Sequence, residues 1–318
     1  MSSTRREWLQ LMAALSAGAV AGALIPRRIF SQQAPADRLA AFRAQVGAAP
    51  IATQQLGDNL TLLSGPGGNV VVLHGSDGLV VVDTFAAPAW PRLDAALKEI
   101  GGGGPVKFVV NTHWHLDHTD NNAALRAAGA TVVAHENTKR RMSESHHLPV
   151  LEIDVPPSPA NARPQRVFKD SHKLEANGEQ VEIWHVQPAH TDTDVILRFE
   201  RANLLHTGDT FFNGRYPFID SSTGGKIDGM IEAAGRVLSL TDAHTRIVPG
   251  HGRLATKADL EKYRDMLVTA RDRVSKLKTA GKSLEESIAA KPFTDLDAEW
   301  GNGRFKGDDF VRIVYPTL

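Results

Sequence analysis

The sequence predicts a layered α/β fold in which two β-sheets pack face to face with helices outside. Short β-branched apolar runs recur from about Gln54 onward, and segments of helical spacing lie between several of them. Strands that alternate with helices imply crossover connections, which are typical of layered α/β folds. A proline-rich stretch at 145–164 divides the strands into two groups. We expect each group to form one of the two sheets.

The first group of strands is separated by glycine-rich turns and two helices. The predicted strands are 60–63, 69–74, 79–84, 106–111 and 131–135, and the predicted helices are 89–100 and 121–128. Glycines between the early strands indicate hairpin turns. The run from Gly101 to Pro105 is typical of a helix end.

The second group contains two predicted hairpins, one around Asn177-Gly178 and one turning at 201–203. Helices follow: apolar residues from Leu260 to Leu277 recur in steps of three and four, which places them on one helix face. Ser283 and the glutamate three residues later form a capping box that begins a further helix. For the irregular 145–164 stretch, two interpretations stay open: a lid or binding loop, and a plain surface connector.

Composition excludes several classes of function. The chain of 318 residues carries 36 basic and 36 acidic side chains, and a balanced charge argues against nucleic-acid binding. It contains no cysteine, which rules out disulfides, thiolate metal ligands and a cysteine nucleophile. Its apolar content of 42% is ordinary for a protein with a substantial core.

The N-terminus predicts an export signal. Arg5 and Arg6 precede an apolar stretch rich in alanine and glycine, and TRREWLQ resembles the twin-arginine consensus with Trp8 and Gln10 in place of its usual Phe and Lys. Small-residue cleavage sites end at Ala34 or at the alanine two residues later, so we predict a signal peptide over 1–36.

This signal sets the expected location and partners. We expect twin-arginine export machinery as a partner, a periplasmic protein, and no stable membrane association after cleavage. The alternative is an uncleaved anchor, because the apolar stretch from Leu9 to Ile25 has 17 residues, the lower limit for a membrane span.

A cluster of histidines and aspartates follows the predicted strand 106–111. His113 and His115 are two residues apart, so on an extended backbone their rings point the same way. Asp117 and His118 come where the chain turns into the next helix. One metal could take the first two histidines while the turn directs Asp117 and His118 to a second. Nitrogen and oxygen ligands suit zinc, and also manganese or iron.

Three further polar residues stand where apolar strands end: His190, Asp209 and His251. Taken singly, each is an ordinary residue at the end of a strand. Glycines on both sides of His251 allow the backbone to approach a ligand closely.

Together these residues resemble the metallo-β-lactamase superfamily. Its signature His-X-His-X-Asp-His is present as His113-Trp-His-Leu-Asp-His118, and the later ligands occur in the expected order, so the resemblance covers about 54–256. It implies an α/β fold of the αββα sandwich type, and a metallo-β-lactamase-like hydrolase domain over 37–318 with a helical C-terminal part. It also implies two Zn²⁺ per chain, with iron or manganese as alternatives. The implied ligands are His113, His115 and His190 for the first metal, Asp117, His118 and His251 for the second, and Asp209 as a bridge.

The resemblance also implies a mechanism. A hydroxide held between the metals would be the nucleophile, and catalytic Asp117 would orient it and accept its proton. Asp83, at the end of the strand 79–84, matches a frequent family aspartate that supports a ligand; capping of the strand end is the other interpretation.

Differences between this sequence and known subfamilies narrow the range of reactions that the resemblance implies. Many metallo-β-lactamases have a cysteine where this chain has Asp209, whereas a bridging aspartate resembles glyoxalase II-like thioesterases and lactonases. Lactonases commonly have tyrosine where this chain has Phe212. We predict hydrolysis of an ester, thioester, lactone or amide, β-lactams included. The alternatives are an iron-dependent oxidoreductase similar to persulfide dioxygenases, and a non-catalytic exported metal-binding module.

The stretch 209–229 is the predicted wall of a pocket for a small-molecule substrate. Its candidate substrate residues are Phe211, Phe212, Asn213, Tyr216 and Lys226. Aromatic side chains would supply apolar contact, and an amide or ammonium group would orient a carboxylate or carbonyl. The other interpretation is that the aromatic residues only pack the loop and that Lys226 is a solvated charge.

Overall fold

Two large β-sheets and a short hairpin make up the strands of the fold. The computed structural model describes residues 35–65 and 67–318, and the chain from Pro35 to Leu318 forms one compact unit. The strands are β1 (Ala52–Gln55), β2 (Leu60–Gly65), β3 (Gly68–Leu73), β4 (Leu79–Val82), β5 (Val106–Val110), β6 (Thr131–His135), β7 (His146–Leu148), β8 (Ile153–Val155), β9 (Arg166–Phe168), β10 (Ser171–Ala176), β11 (Glu179–His185), β12 (Val195–Phe199), β13 (Leu204–His206) and β14 (Arg246–Val248).

One described helix precedes β1, and the others lie between β4 and β7 and again after β13. They are α1 (Pro35–Gly47), α2 (Trp90–Ile100), α3 (Leu116–Thr119), α4 (Asn122–Ala127), α5 (Glu136–Arg141), α6 (Ile227–Ser239), α7 (Lys257–Thr279), α8 (Leu284–Ala289), α9 (Asp297–Trp300) and α10 (Gly307–Val314). The predicted helices 89–100 and 121–128 and the predicted C-terminal helix correspond to α2, α4 and α7. The capping box at Ser283 begins α8, as predicted.

The sheets are mixed, with order β1-β2-β3-β4-β5-β6-β9 in the first and β10-β11-β12-β13-β14 in the second. Antiparallel hairpins form β1 to β4, and parallel pairs then join β4 to β5 and β5 to β6. In the second sheet only the β13-β14 pair is parallel. The polar segments that follow β4, β5, β11, β13 and β14 therefore converge at one edge, described below.

Alternating side chains build three apolar layers. Between the sheets, Val71, Val82 and Val110 of the first sheet share one core cluster with Leu197 and Phe199 of the second. Successive residues of a strand face opposite sides, so the neighbouring side chains of the first sheet pack instead on α2 and α4. The outer side of the second sheet packs on α6, α7 and α10. This arrangement is the predicted αββα sandwich.

Two details of the middle stretch differ from the sequence prediction. The irregular stretch 145–164 contains the hairpin β7-β8. Its strands have three residues each and lie among prolines, so they are too short to show a clear alternation of apolar and polar residues. Strand β9, which follows this stretch, pairs in parallel with β6 and so belongs to the first sheet. The long connection after β6 makes this possible, because parallel neighbours need a crossover rather than a tight turn.

The predicted export signal lies almost entirely outside the described residues, since 1–34 are not described. The described chain begins with α1, which the sequence analysis did not predict. Within the described ranges, no helix combines the length and apolar character that crossing a membrane requires.

Candidate metal centre

The predicted ligand residues all lie at one edge of the sandwich. His113 and His115 follow β5, His190 follows β11, Asp209 follows β13, and His251 follows β14. A rigid sheet places the loops at its strand ends reproducibly. The structure thus brings together all seven predicted ligands, including Asp117 and His118 on α3.

Three histidines form the first group. His113, His115 and His190 are buried, and each offers one ring nitrogen to a common point, with these atoms within 4.8 Å of one another. The shortest separation is 2.8 Å, between His190 Nε2 and His115 Nδ1. Three imidazole nitrogens are a typical zinc ligand set.

The second group joins Asp117, His118 and His251, again with ligand atoms within 4.8 Å. Oδ2 of Asp117 lies 3.7 Å from Nε2 of His118 and 3.6 Å from Nε2 of His251.

Asp209 lies between the two groups. Its Oδ2 is 3.5 Å from His190 Nε2 in the first group and 3.1 Å from His251 Nε2 in the second. Its Oδ1 is 3.3 Å from His118 Nε2. One carboxylate therefore reaches both groups, as the predicted bridge requires.

Unpaired polar atoms in the cluster fit a bound cation. His113 Nε2, His118 Nε2 and Asp209 Oδ1 are buried and have no hydrogen-bond partner among the described residues. A buried polar atom without a partner costs about 1–3 kcal/mol. Three such atoms at one point would be destabilising unless a ligand satisfies them, and a divalent metal ion satisfies nitrogen and carboxylate ligands together.

Outer hydrogen bonds fix which ring nitrogen faces the cluster. His118 Nδ1 lies 2.8 Å from Asp83 Oδ2, and His115 Nε2 lies 3.1 Å from Asp220 Oδ2. The Nδ1–H of His190 donates to the carbonyl oxygen of Phe218 at 2.7 Å. Such partners orient the rings of metal-binding histidines and set their tautomers.

Asp83 both supports a candidate ligand and caps the end of its strand, the two interpretations that the sequence left open. Besides its contact with His118, it accepts hydrogen bonds from the backbone N–H and the hydroxyl of Thr112, at 2.8 and 2.7 Å. Its φ of 64° places it in the left-handed region, and the structure holds this uncommon conformation at the strand end.

Asp220 is a site residue that sequence analysis missed. It is buried, and in addition to His115 it accepts hydrogen bonds from the hydroxyl of Thr223 and the backbone N–H of Ser222. These bonds and the contact with His115 hold its pKa well below the usual range despite burial. In the sequence it looks like an ordinary turn aspartate, because it also caps the 3₁₀ turn Ser221–Thr223.

The electrostatics of the cluster favour metal ligation. Burial, together with neighbouring histidines, holds the pKa of His113 well below its usual value and lowers the pKa of His190 to about 3. Burial would also lower the pKa of His118, but the charges of Asp209, Asp83 and Asp117 raise it well above 6.5. Burial opposes ionisation of Asp209, yet the neighbouring His251 and His118 hold its pKa well below 3.8. His113 and His190 as neutral imidazoles and Asp209 as an ionised carboxylate are therefore in the forms that bind metals, whereas His118 has to release a proton when a metal binds.

His206, behind the cluster, gives a pH-dependent prediction. Its Nδ1 accepts the N–H of Gly208 at 3.1 Å, and burial lowers its pKa to about 4. Between pH 6.5 and 4 the unfolded chain binds a proton that the folded chain does not, so stability is full above pH 6.5 and falls as pH falls. From pH 7.5 to 5 this residue should cost about 2 kcal/mol of unfolding free energy.

Denaturant unfolding at the two pH values checks this, with His206→Gln as the comparison. The wild-type protein should lose more stability on acidification than the variant. Equal losses would contradict the role given to His206.

A cavity opens onto the cluster. It encloses about 780 Å³, part of it open to solvent, and His115, Asp117, Asp209 and His251 contribute to its wall. The rest of the wall is mainly apolar: Phe42, Trp114, Leu116, Leu148, Leu151, Ile153, Val155, Phe212, Tyr216, Phe218 and Phe305, with Arg215 and Arg304. The hairpin β7-β8 thus forms part of the cavity wall, which agrees with the binding-loop interpretation of 145–164.

The predicted substrate residues divide between this cavity and other places. Phe212 and Tyr216 line it. Phe211 is buried in the core, with its ring centroid 4.9 Å from that of Tyr263. The side-chain amide of Asn213 donates to the carbonyl oxygen of Arg253 at 3.1 Å. Lys226 is exposed at the start of α6. The structure does not bring Phe211, Asn213 or Lys226 to the cavity.

Comparison with known proteins decides the family. The sequence model of the metallo-beta-lactamase superfamily matches residues 63–251. The chain belongs to this superfamily. The match ends at the last predicted ligand, His251, and includes the other six, so the resemblance inferred from the sequence is confirmed.

Within the superfamily, the chain is similar to proteins of several activities. Subunit alpha of a 2,4-dinitroanisole O-demethylase from Nocardioides sp. (strain JS1661) is 26% identical over 259 residues, which cover 78% of this chain and 72% of that protein. A hydroxyacylglutathione hydrolase from Polaromonas sp. (strain JS666) is 28% identical over 152 residues, covering 47% of this chain and 49% of that protein. The chain thus spans about half the length of that hydrolase.

Solved structures support the fold. A metallo-beta-lactamase from Pontibacter korlensis superposes with a TM-score of 0.58 at 18% identity, covering 69% of this chain and 99% of that one. At this identity the likeness concerns the metallo-beta-lactamase fold, and it agrees with the αββα layers described above.

Proposed function

We propose that this chain is a hydrolase that uses two zinc ions to cleave an ester, thioester, lactone or amide, β-lactams included. One observation carries the proposal: Asp209 lies between two groups of candidate ligand atoms, the first buried and the second partly exposed at the cavity. The superfamily includes hydrolases of these kinds, and the set of nitrogen and oxygen ligands suits zinc.

The side chains around the cluster have separate tasks in this proposal. Two zinc ions, when bound, would polarise the scissile carbonyl and lower the pKa of an attacking water. Asp117 lines the cavity, so its carboxylate can orient that water and accept its proton. Asp83 and Asp220 keep the ring nitrogens of His118 and His115 aimed inward. The apolar cavity wall excludes bulk water from the substrate.

Similar proteins widen the choice of substrates to test. The hydroxyacylglutathione hydrolase supports thioesters. The O-demethylase subunit, which is similar over most of its length, supports adding 2,4-dinitroanisole to the same assays. We also propose that the protein is exported by the twin-arginine route and acts in the periplasm, on the basis of the motif at Arg5 and Arg6.

Two ligand substitutions test the proposal. His115→Ala and Asp117→Asn should each reduce hydrolysis by more than about 1000-fold, which corresponds to about 4 kcal/mol of transition-state stabilisation. The controls are His244→Ala and Asp265→Asn, which change exposed residues of the same types. Turnover is measured with ester, thioester, lactone and β-lactam substrates, and circular dichroism checks folding. Folded variants that both retain turnover would contradict the mechanism.

A further inference from the structure

Two arginines at the cavity, Arg215 and Arg304, have no hydrogen-bonded partner among the described residues. Elsewhere in the described chain, arginines commonly pair with carboxylates. Arg43 binds Asp120 through two hydrogen bonds of 2.8 and 2.7 Å, for example. Arginine forms such two-point contacts with carboxylates wherever geometry allows. Guanidinium groups at a cavity wall that make no such contact with a carboxylate are therefore available to bind a ligand.

The fold brings the two arginines close together. An added Cβ at Gly303 would lie 3.0 Å from Cβ of Arg215, so the turn that carries Arg304 packs directly on the Arg215 side chain. The backbone N–H of Tyr216 donates to the carbonyl oxygen of Trp300 at 2.9 Å, which fixes this turn beside the 215–216 segment. The guanidinium of Arg304 also lies 5.2 Å from the ring centre of Phe42.

The charge balance around the pair also points to an anion. The surrounding protein lowers the pKa of both guanidinium groups, although Arg215 is only half-buried and Arg304 is exposed to solvent at the cavity mouth. The opposing carboxylates are Asp209 for Arg215, and Asp117 with Asp309 for Arg304. Asp209 and Asp117 are metal ligands, so bound cations would offset much of their charge. A ligand anion would then compensate the two arginines.

We propose that Arg215 and Arg304 bind the anionic group, a carboxylate or sulfonate, of a substrate whose apolar body fills the cavity. The aromatic and aliphatic wall accommodates the apolar body, and the arginines select molecules with a negative charge. This assignment of a substrate class rests on the proposed function for the reaction, although binding itself does not require it. Arg304 and Phe42 lie outside residues 63–251, which the family model matches.

Two dyes with the same aromatic body test the proposal without any catalysis. 8-Anilinonaphthalene-1-sulfonate carries an anion, and N-phenyl-1-naphthylamine lacks it. The full-length protein should bind the anionic dye more tightly. Arg215→Gln and Arg304→Gln should each weaken that binding about tenfold, as expected for loss of one charge-assisted contact worth about 1.4 kcal/mol. Neither should change binding of the neutral dye by more than about twofold, which is about 0.4 kcal/mol. Arg264→Gln, at a partly exposed arginine of α7 that pairs with Asp265 away from the cavity, is the control.

Equal affinity for both dyes, or affinities that neither substitution changes, would overturn the proposal.

A second readout uses two esters that differ only in a terminal carboxylate, mono-4-nitrophenyl adipate and 4-nitrophenyl hexanoate. Arg304→Gln should raise KM for the adipate ester and leave KM for the hexanoate ester unchanged. If the dye results hold but neither these esters nor the thioester, lactone and β-lactam substrates are cleaved, anion binding stands and the proposed hydrolase function fails. If esters are cleaved without regard to the carboxylate, the hydrolase stands and this inference fails.

Discussion

Asp209→Asn should remove both metal binding and turnover. The substitution replaces a carboxylate that reaches His190 at 3.5 Å and His251 at 3.1 Å with a neutral amide, which is a weak metal ligand. We expect hydrolysis to fall by more than about 1000-fold, equivalent to about 4 kcal/mol. Metal content should fall below one ion per chain. Elemental mass spectrometry and single-substrate kinetics measure the two effects.

The matched control for this experiment is Asp228→Asn, which changes an exposed aspartate of α6 that pairs with Arg271. It should keep both metal content and turnover. A folded Asp209→Asn protein with full metal content and wild-type kinetics would show that Asp209 does not join the two groups.

Gly250→Ala should lower the metal affinity of the candidate centre through a steric clash alone. A Cβ at position 250 would lie 2.0 Å from Oδ1 of Asp209, closer than any real contact of this type. The carboxylate would have to move, so we expect metal affinity to fall by at least about 10- to 100-fold, the effect typical of losing an outer-sphere partner. Competition with a chelator of known zinc affinity measures this.

Gly235→Ala provides the comparison for that substitution. Gly235 lies within α6, and a Cβ there meets nothing within 4 Å. This variant should bind metal as the wild type does, and its helix should be slightly more stable because alanine favours helix by about 1 kcal/mol over glycine. Equal zinc affinity in both variants would contradict the close approach of residue 250 to Asp209.

The sequence predicted the layers, and it predicted that the seven candidate ligands lie together, because both depend on short-range patterns. Apolar runs bounded by glycine define strands such as β3 and β5 without reference to the rest of the chain. The first four ligands occur within six positions, His113 to His118, and the later three each follow an apolar strand. Such local signals predict the folded position well, because the position of a buried strand fixes where the side chain at its end lies.

The supporting residues could not be predicted in the same way. Asp220 contacts a histidine 105 positions earlier in the sequence, and nothing local distinguishes it from an aspartate that caps a turn. Arg304 reaches the cavity only because the C-terminal segment packs beside Tyr216. Contacts of this kind depend on the docking of distant elements.

Residue type alone does not predict which side chains line the cavity. Phe211 and Phe212 are adjacent aromatic residues, yet one packs in the core against Tyr263 and the other lines the cavity. Neighbouring side chains on an extended backbone point to opposite sides, and the sequence alone does not tell which side is the core. Helix α1 contributes Phe42 to the same wall, although no periodic pattern near the N-terminus predicted it.

The metal content of the purified protein tests the central claim most directly. It is measured by elemental mass spectrometry, together with nitrocefin, thioester, lactone and 2,4-dinitroanisole assays. The account predicts about two zinc ions per chain, one for each of the two ligand groups, and turnover of at least one of these substrates. A single iron with oxygen uptake would instead indicate an oxidoreductase. Protein that binds no metal and turns over no substrate would contradict the claim.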